Sequence, residues 1–286
     1  MVYNGKGERG GIYMSYRLVV TDMDGTLLNG EGKVSEENQR IFKVLHDKGI
    51  HVAVATGRIY TSARVFARYL GIKTPIIACN GAIVKDLKDN RIIYENHLST
   101  EDCLRIVDIC RKYDLYYHFY SQETFYTEKL DRGSLKYSEW NKTLKEEDRI
   151  DIRIIEDTYE TIKNKADRVY KFQVVSDDMN ILAQARDALE NIETISVSKS
   201  WHNNIEMMNK GVSKGIAVKS LAESLGVKQE EVICFGDNEN DISMLEYAGL
   251  GVAMGNADEI VKERANYVTL TNDEDGVAAA IKKFVL

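Results

Sequence analysis

The sequence predicts an α/β fold in which a doubly wound parallel sheet is interrupted by an inserted α+β unit. From Arg17 onward, short and largely apolar β-branched runs alternate with helical patterns, as in a parallel sheet covered on both faces. After Asn80-Gly81 the rhythm changes to hairpins mixed with helices, the mark of an antiparallel α+β module. Beyond residue 200 the βα alternation resumes. The expected division is an extension at 1–15, a core built from 16–83 and 201–286, and an insert at 84–200.

The elements follow in order. Leu18–Thr21 reads as the first strand. Ser35 reads as a helix N-cap, with Glu36 and Glu37 in the first turn and Gly49 closing the helix. His51–Ala55 is the second strand, followed by a helix through Tyr69 that stops at Gly71, and Pro75–Cys79 is the third. In the insert, Ala82–Lys85 and Arg91–Tyr94 flank the polar turn Lys88-Asp89-Asn90 as a hairpin. A helix over Thr100–Tyr113 precedes aromatic strands at Leu115–Tyr120 and Thr124–Thr127. Strand Val169–Val175, helix Met179–Leu189 and strand Thr194–Val197 complete the insert. Ile205–Met208, Val232–Phe235 and the run around Gly251-Val252-Ala253 read as the returning core strands.

Composition excludes several classes. The chain has 286 residues, 44% hydrophobic and 29% charged, which is ordinary for a globular protein and foreign to a disordered tail or a fibre. A formal net charge of −7 gives no support to a nucleic-acid binder. The longest apolar runs, such as Val52–Ala55, fall far short of the roughly 18 residues of a bilayer span, so no membrane association is expected. The polar, Gly-rich start carries no secretory pattern, and whether Met1 or Met14 begins the natural chain is open. Cys79, Cys103, Cys110 and Cys234 form neither CxxC nor a paired framework; a reduced, cytoplasmic protein is expected, with Cys103 and Cys110 as core positions. No coiled-coil repeat is evident, leaving a monomer or weak dimer.

The chemistry is expected at strand ends, where open α/β sheets bind ligands. Asp22-Met23-Asp24-Gly25-Thr26 follows the first strand, and by itself reads as a turn or as a carboxylate site. The second strand ends in Ala55-Thr56-Gly57-Arg58, which by itself reads first as a plain helix N-terminus, and otherwise as a phosphate seat made from a hydroxyl and an unshielded backbone N–H. Gly211-Val212-Ser213-Lys214-Gly215 places a lysine against the helix dipole, which reads as a solvated surface lysine or as a sign of something anionic nearby. Gly236-Asp237-Asn238-Glu239-Asn240-Asp241 ends a further core strand. Asp22, Asp24, Asp237 and Asp241 together would repel one another, and a hard cation such as Mg²⁺ bound with phosphate oxygens relieves that.

In that order DMDGT, ATGR, GVSKG and GDNEND resemble the haloacid dehalogenase superfamily of aspartate-nucleophile phosphatases, and the gap between the second and third motifs resembles its Cof-type subgroup. Asn80-Gly81-Ala82 matches that subgroup as well. The resemblance runs from Arg17 to the C-terminus and implies a Rossmann-like core with a cap of the C2B type. It implies Asp22 as nucleophile, forming an aspartyl-phosphate, and Asp24 as general acid and base. It further implies Mg²⁺ on the Asp22 carboxylate, the Asp24 backbone carbonyl and the Asp237 carboxylate, with Asp241 acting from behind. Thr56, Gly57, Lys214 and Asn240 would hold the phosphoryl oxygens. Arg58 reads either as a substrate contact or as an exposed helix arginine, and His118 either as a sheet-surface residue or as a substrate contact. The expected activity is hydrolysis of small phosphorylated metabolites, sugar phosphates or related monoesters. A phosphomutase with the same covalent chemistry and a non-catalytic phospho-ligand binder are the alternatives.

Overall fold

The structure, a computed structural model, describes residues 15–166 and 168–286, together with the backbone of a two-residue antiparallel pairing between Glu8–Arg9 and Ile12–Tyr13. The extension expected at 1–15 otherwise lies outside the described residues, Ser15 excepted.

A five-stranded parallel sheet has the order Tyr267–Val268, Leu250–Ala253, Val232–Gly236, Leu18–Thr21, His51–Val54. The first strand in the sequence therefore lies inside the sheet. The chain winds from it to one side through His51–Val54 and to the other through Val232–Gly236, so the topological switch point falls between Leu18–Thr21 and Val232–Gly236. Leu18, Val19 and Val20 are all fully buried, because helices cover both faces. Ser35 caps the helix Glu36–Asp47 by accepting from the Asn38 N–H at 3.1 Å, as the sequence reading expects.

A six-stranded mixed sheet forms the second layer system, in the order Asp151–Ile154, Thr124–Thr127, Tyr116–Tyr120, Lys171–Val175, Asn204–Asn209, Ile195–Ser198. One of its faces packs Phe119, Phe172, Val174 and Met207 against helices Thr100–Lys112, Thr158–Asn164 and Met179–Glu190 in a core of its own. Cys103 and Cys110 are buried in that core. The other face turns toward the parallel sheet, and Tyr120, Phe125 and Met208 belong to the first core.

Three sequence expectations change. Ile205–Met208 does not return to the parallel sheet. Asn204–Asn209 pairs antiparallel with Lys171–Val175 and Ile195–Ser198, and a strand followed by a helix reads as βα whichever sheet receives it. Pro75–Cys79 contributes Ile76–Ala78, joined to the parallel sheet by a single bridge between Ala55 and Ile77; its ladder is antiparallel, to Ile83–Lys85. The hairpin Ile83–Lys85 and Ile92–Glu95 buries Ile83 and Val84 in the first core rather than the second. We therefore propose 16–95 and 210–286 as the core unit and 96–209 as the inserted unit. No helix among the described residues is long and apolar enough to cross a membrane.

Candidate active site

The parallel register places the ends of the two strands at the switch point side by side, with Phe235 opposite Thr21 and the Asp22 N–H donating to the Phe235 carbonyl at 3.0 Å. Asp22 and Asp237 thus leave adjacent strands at the same level. Gly25 makes the loop possible. Its φ is +82°, and a Cβ there would collide with the Asp237 carboxylate. Thr26 donates its hydroxyl to Asp237 Oδ1 at 2.6 Å, and Asn238 Nδ2 donates to Oδ2 at 3.1 Å.

Lys214, the first residue of the helix Lys214–Ser224, is buried with its side chain fully covered. Its Nζ donates to Asp22 Oδ1 and to Asp241 Oδ1, each at 2.6 Å. Asp241 Oδ2 in turn accepts the backbone N–H groups of Asp237 (2.9 Å) and Asn238 (3.0 Å). Both Asp241 oxygens are therefore committed within the protein. Among the described residues Asp22 Oδ2 has no hydrogen-bond partner.

Burial, the largest influence, pushes the Asp22 carboxyl well above its usual range; Lys214 opposes the shift, while Asp241, Asp237 and Asp24 reinforce it. The Asp237 carboxyl is pushed up to about 7 by burial and then by Asp241, against the hydrogen bond from Thr26. Burial works against the Lys214 ammonium, but Asp22 and Asp241 outweigh it and raise its pKa. Carboxylate oxygens of Asp22, Asp237 and Asp241 lie within 4.8 Å of one another, so the three could hold a metal ion. Ionised together, the three carboxylates would outweigh the one ammonium, and such a set of hard oxygen donors suits Mg²⁺.

Asp24 stands at the mouth. Arg58 grips it with Nε at 2.7 Å and Nη2 at 2.5 Å, a bidentate pair. Desolvation disfavours the Asp24 anion, yet the Arg58 bonds and charge hold its carboxyl below the usual value. Thr56 is buried, and its hydroxyl accepts the Arg58 N–H at 3.2 Å. Gly57 lines the cleft; a Cβ there would come to 2.8 Å from Asn80 Oδ1 and 3.1 Å from Lys171 Nζ. Asn240 also lines the cleft and donates to Asn80 Oδ1 at 3.1 Å. The cleft, about 530 Å³ between the two sheets, is bounded by Asp22, Asp24 and Arg58 on one side and by Tyr120, Lys171 and Glu206 of the six-stranded sheet on the other.

Arg58 is thereby a cleft residue rather than an exposed helix arginine. His118 is neither a surface residue nor part of the cleft lining: it is 1% exposed, stacked on Phe125 at 4.5 Å and covered by Gly133. Sequence reasoning missed Lys171 and Glu206, and singled out Asn80 only as part of the subgroup's Asn80-Gly81-Ala82, not as a cleft contact. Lys171 pairs with Glu206 deep inside and reaches across to donate to the Gly57 carbonyl at 2.7 Å. Asn80, in left-handed conformation at φ +56°, donates to Glu206 Oε2 at 2.6 Å. The signal was a single charged residue within each apolar strand, VYKFQVV and NIEMM, on positions that share one face.

A buried carboxylate and lysine facing a second carboxylate across a metal-sized gap, beneath a capped cleft, define a hydrolase of the phosphoryl-transfer type. The family model of haloacid dehalogenase-like hydrolases matches residues 19–281, and the chain belongs to that family. It is 33% identical over 274 residues to a 5-amino-6-(5-phospho-D-ribitylamino)uracil phosphatase of Bacillus subtilis, covering 94% of this chain and 96% of the relative. It is 30% identical over 268 residues to a pyridoxal phosphate phosphatase of Escherichia coli, covering 94% and 98%. A solved haloacid dehalogenase-like hydrolase from B. subtilis superposes with a TM-score of 0.82 at 31% identity, over 93% of this chain and 99% of that one. The protein is a phosphatase of the Cof-type group, a phosphoric monoester hydrolase.

Proposed function

We propose that the protein is a Mg²⁺-dependent phosphatase of small phosphorylated metabolites that works through an aspartyl-phosphate on Asp22. The observation that carries the reading is Asp22 itself: one oxygen is fixed by Lys214 and, among the described residues, the other is unengaged at the floor of the cleft. Such a carboxylate is oriented for in-line attack on phosphorus, with Lys214 neutralising charge on the phosphoryl oxygens.

Asp24 is the group at the mouth, beside a departing alkoxide. In its present pairing with Arg58 it is ionised. A phosphate dianion entering the cleft competes for the Arg58 guanidinium, which frees Asp24 to take up a proton, deliver it to the leaving oxygen and later remove one from water. Thr56 and the Gly57 N–H, with Asn240, bound the phosphoryl seat. Mg²⁺, when bound by Asp22, the Asp24 carbonyl and Asp237 with Asp241 behind them, supplies charge neutralisation to the phosphoryl group. The cap excludes water and faces the leaving group.

The test is hydrolysis of p-nitrophenyl phosphate by wild type and Asp22→Asn, with Mg²⁺ or EDTA. Wild type should turn over only with Mg²⁺, and the nearly isosteric amide should fall to background while its circular dichroism and melting temperature stay native-like. Sustained hydrolysis by Asp22→Asn would rule out the covalent route.

A further inference from the structure

We propose that the cleft is an aromatic clamp, and that its substrates are phosphomonoesters whose alcohol carries a planar, π-rich ring. The inference rests on the phosphatase reading above and names the class of leaving group.

The chain has two tryptophans, and both Trp140 and Trp201 line the cleft that holds Asp22 and Asp24. They arrive from opposite ends of the six-stranded sheet: Trp140 on the helix Arg132–Asn141 that follows Thr124–Thr127, Trp201 on the loop after the edge strand Ile195–Ser198. Trp201 is 61% exposed, although a large apolar ring is the side chain water disfavours most. Its loop is nevertheless built. The Ser200 and Trp201 N–H groups both donate to Asn204 Oδ1, at 3.0 and 3.1 Å, and Asn204 Nδ2 donates to Ser200 Oγ at 2.9 Å. A ring held at a cleft rim by a dedicated turn is an exposed apolar feature that calls for a ligand.

The Trp140 side is equally ordered. Trp140 stacks on Phe66 with centroids 5.6 Å apart and planes 26° apart, and Tyr137 lies against it at 6.2 Å. Phe66 also carries the Arg58 guanidinium at 4.7 Å over its face. An unbroken series of flat groups thus runs from Asp24, where the leaving oxygen is protonated, through Arg58 and Phe66 to Trp140.

The polar groups argue the same way. A site that reads a polyol presents unpaired donors and acceptors to its hydroxyls. Here they are bound to one another: Lys171 to Glu206 and the Gly57 carbonyl, Glu206 to Asn80 and Ser200, Gln173 to His118. What remains toward the leaving group is mostly aromatic surface, with the Gln173 amide N–H and Asn238 at its edge and the exposed ammonium of Lys136. Stacking on that surface favours a planar ring over a sugar.

The experiment measures kcat/KM with Mg²⁺ for pyridoxine 5′-phosphate and glucose 6-phosphate, with acetyl phosphate as a substrate lacking any bulky leaving group. The ring ester should be preferred by about tenfold or more. In Trp201→Ala, whose exposed side chain supports no core, that preference should shrink by about tenfold, through a higher KM for pyridoxine 5′-phosphate. Binding to Asp22→Asn supplies an independent readout: pyridoxine 5′-phosphate should quench tryptophan fluorescence saturably, and glucose 6-phosphate should not. Equal or better turnover of glucose 6-phosphate, with a ratio unmoved by Trp201→Ala, would overturn the clamp. No turnover of any of the three phosphates would instead overturn the phosphatase reading, and the fluorescence titration would then decide the clamp by itself.

Discussion

His118 shows how burial sets the behaviour of a single side chain. Its Nε2 meets Tyr120 Oη at 3.2 Å and Gln173 Oε1 at 3.1 Å, while Nδ1 is buried with no partner among the described residues. Burial, with Lys171 adding to it, lowers its pKa to about 3 from an ordinary 6.5. The folded state therefore keeps the ring neutral where the unfolded chain protonates it. The stability this contributes is complete above pH 6.5 and is lost as pH falls from 6.5 towards 3. At pH 4.5 the loss amounts to about 2–3 kcal/mol. Urea titrations of wild type and His118→Phe at pH 7.5 and 4.5 should show wild type losing that much more than the variant; parallel losses would mean that the imidazole is charged in the fold. At the same scale, the reaction-centre residues were legible in the sequence because carboxylates at the ends of apolar strands have few structural uses. Lys171 and Glu206 were not, because a charge inside a strand reads as its solvent face until the partner strand is known.

The strands that carry these two residues explain why. Lys171–Val175 and Asn204–Asn209 are neighbours, with Phe172 opposite Met207 and Gln173 opposite Glu206. Odd and even positions part to opposite faces, so Phe172, Val174 and Met207 fill the second core while Lys171, Gln173 and Glu206 face the cleft side. Burial raises the Glu206 carboxyl, but the charge and hydrogen bond of Lys171 more than offset it and hold Glu206 below its usual value. Replacing Glu206 with Ala would leave the Lys171 ammonium buried and unpaired, a loss of about 3–5 kcal/mol. Chemical denaturation should find Glu206→Ala destabilised by that much and Glu206→Gln, which keeps an acceptor for Asn80 and Ser200, destabilised less; a loss below 1 kcal/mol for Ala would show that water reaches Lys171. Element boundaries were mostly readable from periodicity, whereas sheet membership was not. Asn204–Asn209 has the apolar content of either sheet, and only its pairing decides. Helix Arg132–Asn141 went unread for a related reason: Tyr137 and Trp140 spend their aromatic surface on the cleft, which leaves no regular apolar stripe on the helix.

At the scale of the whole molecule, the fold gathers charge that it does not itself balance. The switch point brings Asp22, Asp237 and Asp241 together around Lys214, while Asp24 is already neutralised by Arg58. With all three carboxylates ionised the buried centre would carry an excess of two negative charges, the charge of one Mg²⁺; without the ion, burial and mutual repulsion hold the Asp22 and Asp237 carboxyls up and keep part of that charge protonated at neutral pH. The sequence conveyed the members of this cluster through four short motifs spread over 220 residues, from Asp22 to Asp241, but not its net charge, which depends on whether Arg58 and Lys214 turn inward. An ion that binds the folded state and not the unfolded chain stabilises by about 2.7 kcal/mol at a hundred times its Kd. For a chain of this length that corresponds to a rise of several degrees in melting temperature, on the order of 2–4 °C per kcal/mol. Thermal melts of wild type at pH 8 should accordingly shift upward on adding Mg²⁺ to EDTA-treated protein, in a saturable manner and without any substrate present. Asp237→Asn removes one of the excess charges and one hard ligand. It should melt at or above wild type in EDTA, since mutual repulsion is relieved, and gain little from Mg²⁺. A variant that lost stability in EDTA and kept the full Mg²⁺ shift would show that Asp237 serves the loop through Thr26 and Asn238, and that the ion is held elsewhere.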